Sequence, residues 1–172
     1  MKRRVASWLT AITLISSSSI SVAYAQSGAT SMTIDITSPT QGQLFQWNPY
    51  SGSVTVNRHS NHVSTLLTLV PYAEVNYSIY MDQHSSNPYG PITIFASSGG
   101  TDTAIADEDG NLEISGELDS SVTYSGFSLY YSMVFFKATS ILSANWLDSQ
   151  NQSQSITQQV TESRYYRLAY QF

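Results

Sequence analysis

Seven of the twelve acidic residues fall within eighteen positions, at Asp102, Asp107, Glu108, Asp109, Glu113, Glu117 and Asp119. Ca²⁺ takes oxygen ligands on tight loops, and Asp107-Glu108-Asp109-Gly110-Asn111 has the D-x-D-G spacing of part of a calcium loop. Asp107 and Asp109 are therefore candidate Ca²⁺ ligands, and Ca²⁺ is the one cofactor that the residues suggest. The rest of an EF-hand pattern is missing, because no third loop ligand and no closing glutamate follow in register. The favoured alternative is a solvated hairpin whose acids blunt an edge strand and keep the chain soluble.

Other chemistry is thinner. His59 and His62 stand three apart and His84 lies far along the chain. A zinc site wants three or four ligands at set spacing, and there is neither an H-E-x-x-H nor any cysteine. Surface-loop histidines are the expectation. Nucleophilic catalysis lacks a G-x-S-x-G elbow. No residue is assigned a catalytic role, although a hydrolase with a dispersed carboxylate pair leaves no trace in sequence. Aromatic residues offer more. Trp47, Tyr50, Tyr89 and Trp146 sit in or near expected loops and strand ends, with Tyr72, Tyr77 and Tyr80 close by. Rings on a rigid scaffold can stack on sugars or anchor a protein partner. Trp47, Tyr50, Tyr89 and Trp146 are the candidate ligand-binding set, and the competing role for each is core packing.

The amino terminus reads as a secretory signal. Lys2, Arg3 and Arg4 precede a short apolar stretch, and Ala23-Tyr24-Ala25 is an A-x-A cleavage pattern. The apolar core falls short of the about 20 residues a spanning helix needs. Met1–Ala25 is the expected signal peptide and Gln26–Phe172 the expected mature chain, a single β-sandwich domain that is secreted or periplasmic. Arg58, Lys137, Arg164 and Arg167 then remain against all twelve acids, a net charge of −8. Nucleic acid is an unsuitable partner for so acidic a chain, since its affinity comes largely from Lys and Arg at phosphates. Anionic membrane surfaces are excluded on the same ground. No disulfide can form, because there is no cysteine.

Stepping from residues to elements, the organising stretch is Tyr124–Ala138, apolar on both alternating faces, which predicts a central strand covered on both sides. Around it, Ser31–Thr37, Gly52–Asn57, Val63–Val70, Ala73–Met81, Pro91–Ala96, Asp102–Ala106 and Leu112–Leu118 read as strands, Gln43–Trp47 as a candidate short strand, and Ser155–Val160 with Tyr165–Phe172 as one or two closing strands. Arg58–Asn61 and Ser97–Gly100 read as turns and Gln83–Gly90 as a loop. Thr139–Gln154 reads as a loop or one helical turn. Asp109-Gly110 supplies a hairpin turn between the strands that flank it. The expected fold is all-β, an antiparallel sandwich of about nine short strands, with a small β-barrel as the alternative.

The segment ITSPTQGQLF followed by GSVTVN resembles the first strands of bacterial immunoglobulin-like domains, and TAIADEDGNLEISGEL is similar to a hairpin those domains carry. The resemblance implies an immunoglobulin-like sandwich with a binding or spacer role, and brings no functional residues with it. The carboxyl end, with Tyr166, Leu168, Tyr170 and Phe172 in phase, resembles instead the last strand of outer-membrane β-barrels. The expected function is a non-enzymatic binding or structural module for a carbohydrate or protein ligand. The alternatives are a small outer-membrane barrel and a secreted hydrolase.

Overall fold

Alternating inward and outward side chains run the length of almost every segment, and strands are the consequence. The computed structural model describes residues 29–47, 52–86, 93–125 and 131–170. Among these residues it is all-β, with eight strands: β1 (Ala29–Ser38), β2 (Leu44–Trp47), β3 (Ser53–Leu67), β4 (Glu74–Ser86), β5 (Thr93–Ile105), β6 (Leu112–Ser125), β7 (Tyr131–Leu147) and β8 (Ser153–Tyr170). The expected signal peptide lies outside the described residues.

The strands form two hydrogen-bonded sheets, a small one of order β1-β3-β6 and a large one of order β2-β8-β7-β4-β5. All pairings are antiparallel except β2 with β8. The two sheets pack face to face, and two apolar clusters draw on both of them. One holds Leu66, Leu69, Val75, Leu112, Ile114, Leu142 and Trp146. The other holds Ile36, Val56, Val134, Phe136, Tyr166 and Leu168. Burying a side chain of this size is worth about 1.5–3 kcal/mol, so these clusters hold the sheets together.

β7 lies at the middle of the large sheet, as the apolar stretch predicts. Its described part is covered fully on one face and only in places, as at Thr139, on the other. Val134, Phe136, Ala138, Leu142 and Trp146 are buried, whereas Phe135 on the opposite face is 47% exposed. That corrects the doubly covered strand: Phe135 packs sideways on Tyr165, with ring centroids 6.5 Å apart, and does not enter a core. Gly126–Tyr130 lie outside the described residues.

The strands are longer and fewer than the sequence suggests. Arg58–Asn61 is no turn but the middle of β3, and Ser97–Gly100 is the middle of β5. β4 runs on to Ser86 through the start of the expected loop. β7 runs on to Leu147 through the expected loop around Trp146. Of the one or two strands expected at the end of the chain there is one, β8. The Asp107–Asn111 turn is formed, but it joins β5 of the large sheet to β6 of the small one, so it is a corner between sheets and not a hairpin. Gly110 has φ +77°, and a Cβ there would stand 2.1 Å from the Leu69 carbonyl oxygen, so the corner fits glycine alone.

Candidate functional site

The inward face of β3 changes character along its length. Val56 and Leu66 enter the two apolar clusters, and between them come Arg58, Ser60, His62 and Ser64, all buried. A buried polar group must find partners, and several of these do so across the sheets. Gln83 of β4 donates through Nε2 to Ser60 Oγ at 2.9 Å and to the Leu118 carbonyl at 2.8 Å. Ser120 donates its hydroxyl to Gln83 Oε1. Tyr124 of β6 and Tyr166 of β8 share a hydroxyl–hydroxyl bond, and Arg58 lies 5.6 Å from the centroid of the Phe136 ring. Burial lowers the Arg58 pKa and pushes the Tyr166 phenol well up. This belt locks the register of the sheets and is closed to solvent.

The belt comes close to the surface at two places, beside Arg58 and Ser120 and beside Met81. His62 Nδ1 lies 3.0 Å from Met81 Sδ, and a Cβ on Gly116 would stand 2.9 Å from His62 Cε1. Met81 in turn forms part of the floor of a side cleft of about 320 Å³ between the edges of the two sheets. Tyr77, Ile79 and Met81 of β4 make the floor. Ser98, Gly100 and Asp102 of β5 make one wall, and Gly116 and Glu117 of β6 the other. The cleft exists because the large sheet overhangs the small one. β6 is the last strand of its sheet and β5 the last of the other, so among the described residues no strand of the small sheet lies opposite β5. Ser97–Thr103 are exposed on both faces in consequence. Gly99 and Gly100 leave the wall without side chains, and a Cβ on Gly100 meets nothing within 4 Å.

The sequence-derived candidates fall elsewhere. Trp146 is 4% exposed inside the core, so it offers no stacking surface, which corrects its placing among the ligand-binding aromatics. Trp47 pairs with Tyr170 through its backbone at the end of β2. Its side chain, together with Tyr50 and Tyr89, lies outside the described residues. Tyr72 and Tyr80 are exposed, and Tyr77 lies in the cleft. Asp107 Oδ1 accepts hydrogen bonds from the backbone N–H of Asp109 at 2.9 Å and of Asn111 at 2.7 Å, so that carboxylate holds the corner. Among the described residues no group of three or more His, Asp or Glu side chains converges as metal ligands do.

The histidines correct the surface-loop expectation, since all three lie on strands. His59 Nδ1 is 2.6 Å from Asp119 Oδ1 and its Nε2 is 2.7 Å from Asn61 Oδ1. The bond to Asp119 raises the His59 pKa, whereas burial lowers that of His62. His84 Nδ1 stands 3.7 Å from Asp82 Oδ1. Sequence reasoning missed the cleft because its floor comes from ordinary core positions of β4. The one usable signal was Gly99-Gly100 inside an otherwise extended stretch, which marks a place where another backbone or a ligand comes close.

No known protein family matches the chain, and no curated protein does. Seven solved chains match. One is an X-ray structure of a Northeast Structural Genomics Consortium target, 7% identical, with 84% of this chain and 88% of the other covered and a TM-score of 0.32.

Proposed function

We propose that the chain is an exported, non-enzymatic binding module of immunoglobulin-like topology, whose ligand, a protein segment or a carbohydrate, docks in the side cleft. The side cleft itself carries this reading: Tyr77, Ile79 and Met81 lie at its base and Ser98, Thr101, Asp102 and Glu117 along its walls, between two strand edges that no other part of the described chain covers. Concave sites that combine a few apolar side chains with convergent polar groups are where ligands settle. The immunoglobulin-like assignment is supported by strand order. β1-β3-β6 takes the A-B-E positions of such a sandwich, and β8-β7-β4-β5 takes G-F-C-C′, with β2 added parallel beside β8. Export is supported by the basic and apolar start of the chain and its A-x-A site.

The outer-membrane barrel is less well supported. A membrane strand turns apolar residues outward, whereas β8 turns Ser155, Thr157, Gln159, Thr161 and Ser163 outward. The experiment is amide chemical-shift mapping with a panel of soluble oligosaccharides and peptides, repeated with Gly100→Trp. A ring at position 100 fills the cleft from a backbone that has room for it. Ligands that shift Tyr77, Met81 and Gly116 in the native chain and fail to bind the variant support the cleft. Ligands that bind both proteins equally place the site elsewhere.

A further inference from the structure

Four strands end the two sheets, and they are not equally protected. β2 is only four residues long. β1 is bulged between Ile36 and Ser38, and its Ile36 N–H already donates to Glu162 Oε2 at 3.0 Å. Short edges, bulges and side chains laid over the edge are the usual protections against strand pairing. β5 is bulged only near its start, opposite Gln83 and His84, and among the described residues neither β5 nor β6 is short or covered along the cleft. Residues 98–102 of β5 and 116–117 of β6 line the cleft, and each strand is hydrogen-bonded on one side within its sheet.

Building on the cleft as the binding site, we infer that its occupant is an extended cationic peptide that adds as a strand to the free edge of β5 or β6. Strand addition draws affinity from main-chain hydrogen bonds and specificity from pockets for alternate side chains. The cleft offers both. A strand running between the two edges turns every second side chain down onto Tyr77, Ile79 and Met81. Gly99 and Gly100 let its backbone approach β5 without meeting side chains. Charge selects the sign of the partner. Each wall of the cleft carries one acid, Asp102 and Glu117, and no basic residue lines it. A second copy of this chain would bring the same acids to the same edges, and the expected mature charge of −8 adds repulsion. The fitting partner is therefore a foreign segment that alternates apolar residues with Lys or Arg.

The probe is a short synthetic peptide of alternating valine and lysine. Its controls are the same residues arranged in two blocks and an alternating valine–glutamate peptide. Amide shifts and slowed hydrogen exchange are expected along Ser97–Asp102 and Gly116–Asp119. Binding is expected to fall about tenfold or more for the block peptide, for the glutamate peptide and for Gly100→Trp. Asp102→Lys, an exposed change with little effect on folding, leaves the walls with one charge of each sign and is expected to remove the preference for the lysine peptide over the glutamate peptide. Equal binding of the block peptide reduces the interaction to charge and overturns strand addition. Binding of an oligosaccharide, but of no peptide, at the same amides overturns the peptide while keeping the cleft. Shifts that never involve the cleft overturn both.

Discussion

The two sides on which the sheets meet are built in opposite ways. On the side of β1, β2 and β8 the seam is stitched. Arg164 bridges Asp35 at 3.1 Å and Glu162 at 3.0 Å, and Glu162 accepts the Ile36 N–H. Farther along, Gly42 N–H donates to the Tyr165 carbonyl at 2.7 Å, and Arg167 returns a bond from Nε to the Gly42 carbonyl at 3.0 Å. On the side of β5 and β6 the described seam holds the corner at Asp107–Asn111 and the buried Gln83 bonds to Leu118 and Ser120, and the cleft lies open beside them. The small sheet has three strands to cover five, so one side can be sealed and the other is left with free edges. On the proposed reading, stability and binding fall on different seams of one body.

The largest expected effect falls on the stitched side. Phe136 is fully buried in the cluster beside β1 and β8, and Phe136→Ala should cost about 3–5 kcal/mol in denaturant unfolding through the cavity it leaves. Ile79→Ala, on the half-open floor of the cleft, should cost about 1–2 kcal/mol, because part of that side chain is already in water. Equal costs would mean that the two sides share one core and that the contrast is superficial. The corner tests the same contrast from the open side. Gly110→Ala forces a Cβ against the Leu69 carbonyl at a positive φ and should cost about 2–4 kcal/mol, whereas Gly100→Trp should leave the melting temperature unchanged.

A smaller effect is expected from the stitching itself. Glu162→Gln keeps the shape and removes the charge that faces Arg164 and Ile36 N–H. It should cost about 1–2 kcal/mol, with slower loss of protection retained at β4–β5 than at β1. A double-mutant cycle with Arg164→Met separates the ion pair from the backbone bond.

How much of this the sequence discloses depends on which rule each stretch obeys. Ser31–Thr37 and Val54–Val56 alternate cleanly, so their strands are legible. Arg58 to Ser64 also alternates in the structure, but its inward residues are Arg, Ser, His and Ser, so hydropathy reads a turn where a strand crosses the core. The partners that make this burial tolerable, Gln83, Ser120 and Tyr166, are remote in sequence and become visible only once the sheets are paired. Thr139–Gln154 fails for the same reason, since Ser140 is fully buried and Trp146 packs in the core. Asp109-Gly110 correctly announced a tight turn. Turn chemistry is local, however, and cannot say whether the strands on either side share a sheet. Of the cleft only Gly99-Gly100 left a trace in the sequence, because it arises from a difference in strand number between sheets and not from any motif.

The two histidines of β3 carry the contrast into pH. His59 points outward to Asp119, and its folded pKa is raised, so it stabilises the fold below the unfolded value of about 6.5 and loses that contribution as pH rises through the folded value. His62 points inward behind Met81, and burial depresses its folded pKa. In acid the unfolded chain binds a proton that the folded chain refuses. Stability from His62 is therefore complete above about pH 6.5 and is lost as pH falls toward the folded value. His62→Gln should flatten that acid loss, and His59→Asn should steepen it, as measured by denaturant midpoints across the range. Because His62 backs the cleft floor, amide exchange should quicken first at β4 and β6 below about pH 6.5, while β1 and β8 hold. Simultaneous loss on both sides would show that the stitched seam gives no independent protection, and that the open side is open in shape only.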